Sequence, residues 1–191
     1  MNVVMPQHYA LTDAIVLTVG VFAIFLVTRV NRWLAVGLAP FVLAALVGTI
    51  RISVGLVGPI VTLHQFLSRT GAVFGLGCLV GALAVRSAWL PPALGLVAAV
   101  LVIIAPGAAT AIFAVLVVAG AVLAYRSCPD KALLAAASFS LLLVGRVVTD
   151  PLRSTSPALA WHMFHMAVAL WLWQFATLMT AAHHRASNRN V

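Results

Sequence analysis

The chain has 191 residues; 64% are hydrophobic and 7% charged, with eleven Lys or Arg set against three Asp and no Glu. Soluble domains are roughly 45–50% apolar and about a quarter charged, so a water-soluble enzyme and a disordered chain are both excluded. The net charge of +8 comes from basic residues scattered singly between apolar runs, with no stripe that could follow a phosphate backbone, which excludes nucleic acid as a partner.

What remains is a polytopic membrane protein. A transmembrane helix needs roughly 20 mainly apolar residues, and seven stretches qualify in chain order: 11–30, 33–52, 61–85, 90–105, 107–125, 131–149 and 157–183. Residues 1–10 read as a short extracytoplasmic N-terminus, 11–183 as the membrane domain and 184–191 as a basic cytoplasmic tail. No cleavable signal peptide is evident, because the first ten residues carry no Lys or Arg and the first apolar run is too long for a signal h-region. Pro40 falls inside the second span and predicts a kink. Pro91, Pro92, Pro106 and Pro157 suit the first turn of a helix, and Ser156 suits an N-cap. The fourth span is short and only Ala105-Pro106-Gly107 separates it from the fifth, so six spans with one broken helix is the competing count. Gly71, Gly75, Gly77 and Gly81 form two overlapping G-x-x-x-G spacings in the third span. Small residues at that spacing let backbones approach closely, whether in a central packed helix, in a homodimer contact or around a flat cofactor.

Seven spans put the two ends of the chain on opposite sides. One face then receives Arg29, Arg32, Arg86, Arg126, Lys131, Arg185 and Arg189, and the other Arg51, Arg69, Arg146 and Arg153. By the positive-inside rule the first set is cytoplasmic, which gives an all-α bundle of seven transmembrane helices with the N-terminus outside and the C-terminus cytoplasmic. Cys78, deep in an apolar run, and Cys128, in a loop, differ in depth by more than a disulfide spans, so two free thiols are expected. The single Lys, Lys131, lies in a loop and excludes a mid-membrane Schiff-base pigment. His183, His184, Arg185 and Arg189 read as a basic end that touches anionic lipid.

Ionisable groups inside a membrane are costly and point to function. With this topology Asp13, Arg51, His64, Arg69, Arg146, Asp150, His162 and His165 collect in the outer half of the bundle from five different helices. His162 and His165 are three apart and share a helical face. With His64 they make a three-histidine set of the kind that binds catalytic zinc. Asp150 or Asp13 would be a fourth ligand, a general base or the acceptor that orients an imidazole. Arg51 and Arg69 would hold an anionic group of a lipid or substrate, while Arg146 and Asp150, four apart, neutralise each other. Two other readings stay open. The histidines can sit half-hydrated at headgroup level beside Trp161, or His64 and His162 can be axial ligands of a b-type haem whose propionates pair with Arg51, Arg69 or Arg153.

Leu11-Thr12-Asp13 opening the first span, Ala44-Ala45-Leu46-Val47-Gly48 near the end of the second and Ala158-Leu159-Ala160-Trp161-His162 opening the seventh resemble the CREST superfamily. These are seven-span membrane hydrolases that include alkaline ceramidases and the progestin/adipoQ receptors, and the resemblance is nearest to small bacterial members. It implies a bacterial inner-membrane protein and a zinc-dependent hydrolase of a lipid amide; the residues themselves suggest a zinc-dependent hydrolase of a lipid amide or ester on His64, His162 and His165, with Asp150 as base. The resemblance also implies a zinc held by one His after the second span and by an H-x-x-x-H pair in the seventh, assisted by a Ser and an Asp. Only His162 matches that pattern; Ala158 stands at the first His of the pair, Arg51 near the second-span His, and Ser53 is close to the position of the Ser. The alternative is a non-catalytic, receptor-like subunit that binds lipid, as a homo-oligomer or within a larger membrane complex.

Overall fold

A computed structural model of the chain describes residues 6–85 and 87–188; Arg86 and Arg189, both assigned above to the cytoplasmic face, lie outside the described residues. Among the described residues the chain is helical and has no strand. Eight α-helices follow in order: α1 (Tyr9–Thr28), α2 (Arg32–Val54), α3 (Pro59–Phe66), α4 (Ala72–Ala84), α5 (Leu90–Ile104), α6 (Ala109–Ser127), α7 (Ala132–Thr155) and α8 (Pro157–Asn188). A π-helical turn, Leu67–Gly71, joins α3 to α4, so the expected third span is one rod with a widened waist. Six segments are long and apolar enough to cross a membrane, and the seventh, α5, is a shorter apolar helix of 15 residues.

The local signals are plain at several ends. Asn31 caps α2 by accepting a hydrogen bond from the Trp33 N–H at 2.9 Å. Gly55 closes the same helix in the left-handed conformation, φ 70°, with its N–H on the Arg51 and Ile52 carbonyls. Pro59 starts α3 behind Gly58, and Pro106 opens the 3₁₀ turn that separates α5 from α6. Ala105-Pro106-Gly107 is therefore a true break between two helices. The helix continues through Pro40 in α2, and α7 runs past its expected end at 149 to Thr155 through Pro151.

The helices close into a ring in which α1 packs on α2, α2 on α4, α4 on α6, α6 on α7, α7 on α8 and α8 back on α1. Helix α5 stands outside this ring, held against α4. The stripe of glycines explains the contacts of α4 with α2 and α5. A Cβ at Gly77 would meet the Gly95 backbone of α5 at 2.8 Å, and one at Gly81 would meet Pro91 Cα at 2.6 Å. Gly75 lies directly against the carbonyl of Gly37 on α2. The glycines thus bring backbones together within one chain. Trp171, Phe139, Phe175, Leu38 and Leu76 fill the centre, with Trp171 edge-on to Phe41 and Phe139. Both cysteines are free and both are buried, so Cys128 is tucked in, its Sγ 3.8 Å from the Leu178 carbonyl oxygen.

Candidate functional site

The polar residues meet at the end of the ring where α1, α4's π turn and α8 begin. Asp13, in the second turn of α1, is fully buried. Helix α2 makes room for it at Gly48, where a Cβ would fall 2.9 Å from both Asp13 Cγ and His64 Nε2. The missing side chain at Gly48 lets a carboxylate from α1 and an imidazole from α3 share one spot. Arg51, also buried and one turn further along α2, lies within electrostatic reach of Asp13.

His165 fixes a proton in this cluster. Its Nδ1 lies 2.7 Å from the Trp161 carbonyl oxygen, which can only accept, so Nδ1 carries hydrogen and donates. Its Nε2 lies 2.9 Å from Asp13 Oδ1. Asp13 and His165 stand as a close carboxylate–imidazole pair. Neither carboxylate oxygen receives an aligned hydrogen bond among the described residues. Trp161 orients the histidine: its ring stacks on His165 at 4.3 Å and on Tyr9 at 5.4 Å, and its Nε1 donates to the Tyr9 carbonyl at 3.3 Å.

Asp13, His64 and His165 line a cavity of about 70 Å³ at the centre of the ring. Every member of the ring contributes to it and α5 does not. Ser68 of the π turn and Arg146 of α7 add polar groups, and Phe41, Phe113, Leu142, Phe164 and Val168 supply apolar wall. The space exceeds several-fold the roughly 10–15 Å³ needed to hold one water.

The other expected site residues lie elsewhere. His162 turns away to α1, its Nδ1 3.1 Å from Thr12 Oγ1 and its ring 5.4 Å from that of His8. Residues three apart on a helix differ by about 60° in direction; that offset sends His165 inward and His162 to the rim. The three-histidine set is therefore not assembled, and among the described residues no group of three or more His, Cys, Asp or Glu is placed to hold a metal ion. The pair proposed for haem is divided in the same way: His64 lines the cavity and His162 does not. Asp150, expected as the base, is half-exposed outside the cavity, between Arg153 Nε at 3.2 Å and Arg146 Nε at 3.8 Å. Ser53 is exposed and also lies off the cavity. Arg69 is engaged through its guanidinium with the Pro106 carbonyl, tying the π turn to the α5–α6 break.

Asp13 moves from a supporting position to the centre. The sequence reading missed Gly48 as the gap that admits it, Trp161 as the carbonyl that fixes the His165 tautomer, and Ser68. Gly48 and Trp161 do stand in the short motifs quoted above. Ser68 reaches the cavity through a π turn that no residue pattern announces. No family model matches the chain, and no curated protein or solved structure matches it, so the cavity carries the functional reading by itself.

Proposed function

We propose that this chain is a seven-span protein of a bacterial inner membrane, its N-terminus outside, that binds an amphiphilic, lipid-like molecule in the outer half of its bundle. One observation supports this reading: a cavity inside a ring of apolar helices has a polar floor of Asp13, His64 and His165 and walls of aromatic and aliphatic side chains. A molecule with one polar end and a hydrocarbon body matches both surfaces. The CREST-like resemblance stays a proposal of ancestry. Binding is favoured over hydrolysis because both nitrogens of His165 are occupied, Ser53 and Asp150 lie off the cavity, and the three-histidine zinc set does not form.

The test is thermal unfolding of delipidated protein in neutral nanodiscs with a panel of single-chain lipids, beside a Leu142→Trp variant that fills the cavity. At least one lipid should raise the Tm of the wild type and leave the variant unmoved. Equal shifts in both proteins would defeat the binding site, and about one zinc per chain by elemental analysis would move the reading to a metallohydrolase.

A further inference from the structure

The ring of helices is not closed along its whole height. Helix α4 packs on α6, but the π turn and α3, which carry the same rod on toward the Asp13 end, pack on α2 and, through the π turn, on α5. Among the described residues they make no comparable packing on α6, α7 or α8. The cavity wall shows the same gap. Its lining residues from α1, α2, α3, α4 and α6 are all buried. Those with open surface are Leu67 and Ser68 of the π turn, Arg146 of α7, and Phe164 and His165 of α8. Ser68 is exposed while it lines the cavity, and the Arg146 side chain, paired with Asp150, is 37% exposed. Packing and exposure thus place one mouth between the π turn and the α7–α8 pair. Ser68 stands nine residues from the start of the rod at Pro59, and Arg146 nine residues from the end of α7 at Thr155. At 1.5 Å per residue both lie about 14 Å in from their helix ends, at the depth of lipid chains. The neighbouring turns expose Leu63 and Phe66 on α3 and Val144 and Val147 on α7, so the outer surface of these helices is apolar there.

Resting on the amphiphile reading above, we infer that the cavity is loaded sideways from the outer leaflet. The polar head of the molecule passes between the π turn and α7–α8 to the floor, and its hydrocarbon chain stays in the mouth and trails among the membrane lipids. A cavity of about 70 Å³ has room for roughly five to seven waters, enough for a head and a few carbons and too little for a long chain. A chain left in the mouth is covered by helix on one side and by lipid on the other, so none of its surface meets water. Ser68 at the lip offers a hydroxyl to the head as it passes.

A nitroxide on Ser68→Cys, in the full chain with Cys78→Ser and Cys128→Ser, reads the mouth directly in neutral nanodiscs. Oxygen concentrates in hydrocarbon and a nickel chelate stays in water, so collisions with each report what the label faces. Val144→Cys, on the apolar exterior of α7, and Ser154→Cys, exposed near its end, are the two references. The label at position 68 should behave like the one at 144, with oxygen collisions several-fold above those of nickel. Behaviour like the label at 154, or shielding from both reagents, overturns the inference and leaves the amphiphile reading in place. Ser68→Trp then plugs the mouth without touching Asp13, His64 or His165. A single-chain lipid that raises the wild-type Tm should lose most of that effect in Ser68→Trp, and an undiminished rise also overturns the inference. The label comparison stands even if the plugged variant does not fold. If no lipid raises the wild-type Tm, the amphiphile reading and the inference fall together.

Discussion

Gly48→Ala tests the geometry of the site with the smallest change available. The added Cβ would stand 2.9 Å from Asp13 Cγ and 2.9 Å from His64 Nε2, nearly half an ångström or more inside ordinary van der Waals contact at about 3.4 Å. A flexible surface side chain would swing clear. Asp13 has no such freedom, because it is fully buried and its Oδ1 is set against His165. Either α1 and α2 separate or the carboxylate leaves its partner, and overpacking of this kind costs about 1–3 kcal/mol. For a chain of this size that is a fall in Tm of several degrees, read by thermal unfolding in one detergent. Gly107→Ala is the matched control: a Cβ there meets nothing within 4 Å, so its stability should stay within about 0.5 kcal/mol of wild type. The reasoning fails if the two variants melt together, since Gly48 would then not be the gap that admits Asp13.

Asp13→Ala should also destabilise, because it removes the buried carboxylate set 2.9 Å from His165 Nε2 and leaves a gap; a loss of about 1–3 kcal/mol is expected, again from thermal unfolding, and Asp13→Asn should recover much of it. An Asp13→Ala protein as stable as wild type would show that the pair does not form. Cys128 sits between α6 and α7, and burial pushes its thiol above the ordinary range, with Asp130 adding to the rise and Arg185 opposing it. A raised value leaves less thiolate at neutral pH, so in a Cys78→Ser background maleimide labelling should be slow and should accelerate only above the usual thiol range. Labelling at the rate of a free thiol near neutral pH would contradict the burial.

The helices were readable because each is an apolar run closed by a residue whose backbone chemistry stops a helix: Asn31, Gly55, Pro106 and Pro129 all stand at or beside observed ends. Depth was readable too, since counting along the expected spans placed Asp13, His64 and His165 at one level, and these three meet. Rotation was not. His162 and His165 lie within one turn of each other on α8, and only the packing of α8 against α1 decides that one faces Thr12 and the other Asp13. The same holds on α7, where Arg146 lines the cavity and Asp150 does not. The π turn at Leu67–Gly71 was also invisible, because widening a helix by one residue leaves no mark in composition.

The glycine contacts of α4 divide the cavity wall mechanically. Between α4 and its neighbours α2 and α5, backbone meets backbone at Gly75, Gly77 and Gly81, with no layer of side chains to compress or re-pack. Across the ring, α7 and α8 meet beside Gly145 through the Ala167 methyl and the Phe164 ring, and that ring can turn where a backbone contact cannot. The α2–α4–α5 side is therefore a stiff frame and the α7–α8 side a compliant one. Swelling of the cavity around an occupant of the proposed kind would fall on α7 and α8, the two helices that carry Arg146 and His165.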